Sequence, residues 1–207
     1  MQVQNLKMYH FHKSGVYDEM WKEGSKFIVD KDFYSYYCNI VNGFQTGILA
    51  QGSENVSFAR VLSFYLKNPE VMFEEPGLFM NLLAKSKEII LGMDAFQREF
   101  VLESYRRNYY PKLPSRKHSI WVTNKESLEY WKLMLESSDY QLSLLELDLT
   151  GELFKTSALF LPEEGFSMNE TYSKCEAYWN PIFKNKEEEQ QAEYLFQGEV
   201  KVLKKLS

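Results

Sequence analysis

The sequence is poor in residues that bind metals or form disulfides. Its 207 residues include two cysteines, Cys38 and Cys175, and three histidines, His10, His12 and His118. The cysteines lie far apart, and no CxxC or HExxH spacing occurs, so we expect neither a zinc site nor a disulfide scaffold. Because disulfide scaffolds belong to oxidising compartments, the lack of one favours the reducing cytoplasm as the location.

Several common catalytic motifs are also absent. The sequence contains no GxGxxG, no GxxxxGK[ST] and no GxSxG. These absences argue against a Rossmann dehydrogenase, a P-loop enzyme and an α/β-hydrolase. They do not argue against enzymes whose active sites have no compact sequence motif.

Long apolar runs and an excess of positive charge are missing too. No stretch has the about 20 apolar residues needed to span a bilayer, and the first fifteen residues lack the apolar segment of a signal peptide. We therefore expect no membrane association. The formal net charge is -5, so any contact with nucleic acid would have to be local.

Apolar and aromatic side chains are abundant, at 44 % and 16 % of the residues. Alternating patterns predict strands at LKMYHFH, HSIWVT, YQLSLLELDL and EVKVLKKL, whereas helical spacing predicts helices within residues 55–107 and at NKESLEYWKLML. Strand, helices and then mostly strands is the order of an α+β fold. We expect one domain over residues 1–207, with a helical insertion at about residues 50–110.

Local signals predict where elements begin and end. Gly92 is expected to break the long helix, and Thr123 with Glu126 to form a capping box. A turn is expected at Thr150–Gly151, between two strands of a hairpin. Gln197–Gly198 is expected to separate two strands or to bulge a single one. The charge run KNKEEEQQ is typical of a solvated loop.

Three separated stretches carry the candidate chemistry: Tyr9–His10 in the first strand, SRKHSIWVT in the middle, and QAEYLF near the end. Each has a simpler structural explanation. The first would be a structural histidine between aromatic residues, the second the ordinary packing of a strand on a helix, and the third an exposed glutamate at a strand edge. Glu193 is therefore either a charge on the wet face of a hairpin or a catalytic carboxylate on a rigid strand.

In their order, these stretches resemble the ADP-ribosyltransferase superfamily. Its members carry a His or Arg on the first strand, a central strand-to-helix block, and an [EQ]-x-E motif followed by an apolar pair and a glycine turn. The blocks here are MYHFH, SIWVTNKESLEYW and QAEYLFQGEVKV, together roughly 40 residues. The residues at the matching positions are His10, Ser119, Trp121, Thr123, Gln191 and Glu193.

The resemblance implies a split mixed or antiparallel sheet and NAD as co-substrate, without a metal. Glu193 would be the catalytic carboxylate that stabilises an oxocarbenium-like transition state, and Gln191, two residues earlier on the same strand, would reach the acceptor. His10 would bind the adenosine ribose, Trp121 would stack on nicotinamide, and Arg116 would pair with the pyrophosphate. Ser119 and Thr123 would complete the nicotinamide pocket.

Two positions depart from the His-type branch of the superfamily. Phe11 and His12 stand where Gly-Thr or Gly-Ser commonly follows the histidine, and Trp121 stands in place of a tyrosine. The chain also resembles an uncharacterised bacterial family with YH near the start, PSRK and AYW in the middle, and E-x-LF-x-G at the end. These motifs occur here at residues 9–10, 114–117, 177–179 and 193–198.

The resemblance implies a mono-ADP-ribosyltransferase that modifies a protein or nucleic acid. A bacterial toxin or phage-defence effector fits that activity, and a toxin implies an antitoxin partner that silences it. One alternative is an inactive binding module of the same fold. Another is an RNA-binding protein that uses the basic and aromatic stretch RRNYYPKLPSRK, residues 106–117, whose simpler explanation is an exposed linker.

Overall fold

A computed structural model describes residues 1–15, 17–35, 48–51, 54–74, 76–137, 141–163 and 165–206. The strands within these ranges are β1 (Gln2–Lys13), β2 (Lys26–Val29), β3 (Ile48–Gln51), β4 (Glu54–Ser57), β5 (Ile120–Val122), β6 (Leu142–Ser157) and β7 (Ala192–Lys205). The helices are α1 (Phe58–Lys67), α2 (Pro69–Glu74), α3 (Pro76–Tyr109), α4 (Leu128–Leu135), α5 (Met168–Trp179) and α6 (Lys186–Gln190).

Five strands form one antiparallel sheet in which β7 is central. On one side β7 pairs with β6, which pairs in turn with β1; on the other side β7 pairs with β5 and, further along, with β2. Two backbone hydrogen bonds between Tyr9 and Thr123, of 2.9 and 2.8 Å, also bring β1 to the end of β5. Strands β3 and β4 form a separate hairpin. The predicted α+β class is confirmed, with antiparallel pairing throughout the described strands.

The sheet is buried on both faces. The alternation of β6 places Leu145, Leu147 and Leu149 in one core cluster together with Val200 and Val202 of β7. The opposite face packs against helices α3 and α5. The buried residues of that second cluster are Val101, Leu102, Phe154, Cys175, Tyr178, Trp179 and Leu195.

The predicted helical region is present as α1, α2 and α3, and the prediction that Gly92 breaks the last of them is wrong. Helix α3 runs for 34 residues through Gly92. A single interior glycine costs about 1 kcal/mol relative to alanine, which a helix of this length tolerates when its C-terminal third is anchored in a core. Prolines open α2 and α3 at the first helical position, where a missing N–H costs nothing.

The predicted turn at Thr150–Gly151 is also wrong, because β6 continues through it for 16 residues. Gly151 lies directly opposite Gly198 of β7, which is likewise one continuous strand. A Cβ on Gly151 would lie 2.3 Å from the carbonyl oxygen of Gln197. The glycine therefore permits a close approach of two strands rather than a change of direction.

Two further local predictions are corrected. Asn124, not Thr123, caps the turn that leads into α4, because its side-chain oxygen accepts from the amide of Ser127 at 3.0 Å. The backbone of Thr123 is held instead by its bridge to Tyr9. The charge run near residue 186 forms α6 rather than a loop, since Asn185 caps it and acidic side chains occupy its positive end.

Candidate functional site

A pocket of about 660 Å³ opens between β1, β5, the start of β7 and α4. Its size falls in the range of small-molecule sites, about 300–1,000 Å³. The antiparallel pairing of β5 with β7, and the bridge from β1 to β5, bring three distant stretches of the chain to this one place. The predicted site residues that line it are His10, Arg116, Ser119, Trp121, Thr123 and Glu193.

Glu193 lies at the pocket as a buried carboxylate, with 4 % of its surface exposed. Its Oε1 atom accepts a hydrogen bond of 2.7 Å from Nη1 of Arg116 and another from the hydroxyl of Tyr178. Among the residues that the structure describes, no group donates to Oε2. The explanation of Glu193 as an exposed charge on a hairpin is therefore wrong.

Arg116 joins this carboxylate to a second one. It donates from Nε and Nη2 to the two oxygens of Glu99 on α3, at 2.8 and 3.0 Å, and it is 4 % exposed. Burial opposes its charge, but the adjacent Glu99, Tyr178 and Glu193 together raise the pKa of Arg116 well above its usual value. The guanidinium is thus committed to two protein carboxylates, and a pyrophosphate would have to compete with them.

Tyr178 holds Glu193 from the α5 side. Its hydroxyl donates to Oε1 of Glu193 and accepts from Nη1 of Arg116. Burial, followed by the negative charge of Glu193, raises the pKa of Tyr178 well above its usual value, although Arg116 acts in the opposite direction. The phenol therefore remains protonated and acts as a permanent donor to the carboxylate.

His10 enters the pocket from β1 as a neutral ring. Its Nδ1 lies 2.8 Å from the carbonyl oxygen of Trp121, which can only accept, so Nδ1 carries the proton. The ring stacks on Trp21 with centroids 4.1 Å apart. Burial lowers the pKa of His10 to about 4, with a smaller contribution from His12 and against the effect of the Trp121 hydrogen bond. Its Nε2 is consequently a hydrogen-bond acceptor at neutral pH.

The middle block supplies a fixed wall of the pocket. Ser119 is fully buried, and its hydroxyl donates to the carbonyl oxygen of Ser115 at 2.7 Å. The ring centroid of Trp121 lies 5.3 Å from the Arg116 guanidinium carbon, a cation–π distance. Tyr130 of α4 faces this wall; burial and then the charge of Glu193 raise its pKa. Aromatic side chains thus line the pocket together with Glu193.

Gln191 does not share the strand of Glu193, so that structural prediction is wrong. The preceding charge run folds into α6, and Gln191 is the residue at its C-terminal end, so β7 begins only at Ala192. Its side-chain amide lies 3.4 Å from Oε1 of Glu187. Gln191 is not among the residues that line the pocket.

Sequence patterns did not reveal Glu99, Tyr178 and Trp21 as parts of the site. Tyr178 belongs to the AYW motif, which by itself does not indicate a polar partner. Glu99 stands in an apolar segment of α3, four residues before the buried Glu103, and such a spacing places two carboxylates on one helix face. That inward-facing acidic pair was the available signal.

The basic stretch at residues 106–117 is buried at both ends and exposed between them, at residues 107–109 and 111–112. Arg106 donates to Glu103 at 3.0 and 2.8 Å and to the carbonyl oxygens of Pro111 and Leu113. Burial opposes the charge of Glu103, but its bonds to Arg106 and Ser115 lower its pKa overall. Both Arg106 and Arg116 therefore serve internal ion pairs.

No cluster of three or more histidine, cysteine, aspartate or glutamate side chains suited to a metal occurs within the described ranges. In the same ranges, no helix has the length and apolar character required to cross a membrane.

Comparison with known proteins gives a family without an assigned activity. No curated protein matches the sequence. A family model described as a protein of unknown function, DUF2441, matches residues 8–207. The match includes every pocket residue described above, from His10 on the first strand to Glu193 on the central one. The chain therefore belongs to the DUF2441 family of proteins of unknown function.

Proposed function

We propose that the protein is an NAD-dependent ADP-ribosyltransferase. The observation that carries the proposal is the convergence of three distant stretches on one aromatic-lined pocket with a buried carboxylate. His10 comes from β1, Trp121 from β5 and Glu193 from β7. These three stretches, in this order, resemble the ADP-ribosyltransferase superfamily. The proposal includes the split sheet of that superfamily.

The pocket residues fit NAD by size and by chemistry. A volume of about 660 Å³ with several aromatic rings accommodates a heteroaromatic group. The neutral ring of His10 offers an acceptor to a ribose hydroxyl. Lys13 and Arg98 also line the pocket and supply positive charge near a diphosphate. Arg116, which is bound to Glu99 and Glu193, takes the role of orienting the carboxylate instead.

Glu193 acts on the bond between nicotinamide and ribose. As that bond breaks, nicotinamide leaves with the bonding electron pair and positive charge develops on the ribose. A fixed carboxylate beside the ribose stabilises this charge. Arg116 and Tyr178 hold Oε1, so Oε2 is the oxygen directed to substrate. The acceptor's nucleophilic atom then bonds to the ribose carbon and loses its proton.

The acceptor is a macromolecule, either protein or nucleic acid, and the product will identify it. A toxin or phage-defence effector with a silencing partner is the biological setting that this activity suggests. The RNA-binding alternative gains no support from Arg106 and Arg116, because both are engaged inside the protein. Arg107 is exposed, so replacing it and measuring RNA affinity as a function of salt concentration tests the RNA-binding alternative.

The decisive experiment measures nicotinamide release from NAD by the purified protein, with bacterial lysate as the source of acceptor. Glu193→Gln keeps the shape of the side chain, and we expect it to lower the rate by about 10²–10³-fold. Glu199→Gln is the matched control, because Glu199 is exposed on the same strand. We expect that variant to keep the wild-type rate.

Calorimetry with NAD separates the possible failures. No turnover by the wild type, together with no NAD binding, would contradict the proposal and leave a binding module with another ligand. NAD binding without turnover in any lysate would make the protein an inactive module of this fold. Turnover that survives Glu193→Gln would place the catalytic group elsewhere.

A further inference from the structure

We propose that two copies of the chain associate through α3, packed antiparallel as a short coiled coil. This proposal does not rest on the chemistry of the pocket. At 1.5 Å per residue, the 34 residues of α3 span about 51 Å. Leu82, Val101 and Leu102 of this helix are buried in the protein. Other positions along it carry large apolar side chains that are exposed.

Five of these exposed side chains form an apolar stripe: Phe79, Leu83, Ile90, Met93 and Phe100. Their exposed fractions are 39, 48, 60, 47 and 50 %. A contiguous exposed apolar surface of this kind marks an interaction site on a folded protein. The stripe runs along the helix for 22 residues, about 32 Å, which is enough for three heptads.

The spacing of the stripe is that of a coiled-coil seam. From Phe79 the positions advance by steps of four and three residues to 83, 86, 90, 93, 97 and 100, which is the alternation of the two core positions in a heptad. Ser86 and Gln97 are the polar members. Ser86 donates to the carbonyl oxygen of Leu82 and Gln97 to that of Phe166, so both are satisfied within their own chain.

An antiparallel arrangement makes the stripe complementary to itself. In this register Leu83 meets Phe100 of the second copy, and Ile90 meets Met93. The two polar positions, Ser86 and Gln97, fall in the same layer, so neither is placed against an apolar side chain. A two-fold axis near residues 91–92 repeats each contact, as closed dimers require.

Charge favours the antiparallel direction over the parallel one. In the antiparallel register, Lys87 flanks the seam beside Asp94 of the second copy, and the symmetry axis creates this pair twice. In a parallel register the positions opposite these two charges are 82 and 89, which are Leu and Ile and offer no opposite charge. Opposite charges at flanking positions set the orientation of coiled coils.

The first test is the oligomeric state of the full chain by sedimentation equilibrium over a range of concentrations. We expect a monomer–dimer equilibrium that Ile90→Glu shifts to monomer, with unchanged circular dichroism because Ile90 is exposed. Lys87→Glu should weaken the dimer by about tenfold, and Lys87→Glu combined with Asp94→Lys should restore it. A wild-type monomer at every concentration, or a dimer indifferent to both Ile90→Glu and Lys87→Glu, would overturn the proposal.

Cysteine cross-linking tests the direction. A mixture of Leu83→Cys and Phe100→Cys should form a disulfide-linked heterodimer under mild oxidation, whereas Leu83→Cys alone should not. In the antiparallel register two copies of residue 83 lie about 25 Å apart, beyond the reach of a disulfide. Wild-type protein controls for Cys38 and Cys175. Cross-linking of Leu83→Cys with itself, and not with Phe100→Cys, would contradict the antiparallel register.

Discussion

Tyr178 and Glu193 meet at a single carboxylate oxygen: the phenol donates to Oε1, the same atom that accepts from Arg116. The two donors come from different elements, α5 and the turn before β5. Together they hold this oxygen, while no group among the described residues donates to the other one. The position of Glu193 is therefore determined by the packing of a helix against the sheet.

Tyr178→Phe removes one of these donors and keeps the ring. We expect the free energy of unfolding to fall by about 1–2 kcal/mol and nicotinamide release to fall by about tenfold, with NAD affinity nearly unchanged. Separate measurement of kcat and KM, with urea unfolding, checks this. Tyr172→Phe on the same helix is the control, since its hydroxyl bonds an exposed tyrosine, Tyr109. Equal effects of both variants would contradict the role given to Tyr178.

Arg116→Ala should be among the most destabilising substitutions in the protein. It leaves Glu99 and Glu193 as buried carboxylates without their shared cation, and breaking a buried pair in this way costs about 3–5 kcal/mol. Urea unfolding at neutral pH measures the loss. Arg107→Ala is the comparison, because that side chain is 66 % exposed while it pairs with Glu103, and exposed pairs contribute about 0–1 kcal/mol. A similar loss for the two variants would argue against a buried network.

Alternation and helical spacing are enough to predict the α+β class of the fold, because they report burial directly. The residues of the pocket follow instead from the resemblance of three separated stretches to a known superfamily. The spacing of Glu99 and Glu103 places both on one face of α3, but it does not reveal that Glu99 pairs with Arg116, because that contact forms only when α3 packs against the turn before β5. The prediction that Gln191 lies on the strand of Glu193 is wrong, because a short acidic helix ends there and β7 begins only at Ala192. Gly151 was misread since glycine is as useful for close strand approach as for a turn.

Gly151→Ala tests the close approach of β6 and β7. The new Cβ would lie 2.3 Å from the Gln197 carbonyl oxygen and 2.7 Å from Cα of Gly198. We expect destabilisation by at least about 1–3 kcal/mol, because backbone atoms must move. Gly77→Ala in the first turn of α3 meets nothing within 4 Å and should be neutral or stabilise by about 0.5–1 kcal/mol. Thermal unfolding of both variants measures these changes. A Gly151→Ala variant as stable as the wild type would contradict the close approach of β6 and β7.

His10 makes stability depend on pH in a defined window. Its pKa of about 4 in the folded protein lies below the ordinary histidine pKa of 6.5, so the unfolded chain binds more protons between these values. The free energy of unfolding is therefore retained above pH 6.5 and falls as the pH drops toward 4, by up to about 3 kcal/mol.

His10→Asn should flatten that part of the stability curve, because asparagine has no titrating group. Urea midpoints of the two proteins at pH 7 and pH 5 provide the comparison. An unchanged difference between the two pH values would mean that other groups cause the loss.

Asn124→Ala should cost about 1 kcal/mol through loss of the cap that precedes α4, together with the 3.2 Å bond from its amide to the Tyr194 hydroxyl. Glu126→Ala should change little, because the cap does not use Glu126. Chemical denaturation distinguishes the two. A larger effect at Glu126 would favour the capping box expected from the sequence.

The central position of β7 has a consequence for how the protein is made. Among the described strands, β7 is the last along the chain, yet β6, β5 and β2 all pair with it. Until β7 has been synthesised, β2 and β5 lack the strand that they pair with in the sheet, and Glu193 is not present to bind Arg116. Strand pairings across so many residues also form slowly. The pocket therefore forms only after β7 has paired with its neighbours in the sheet. Under the proposed function, a chain still being synthesised would consume no NAD.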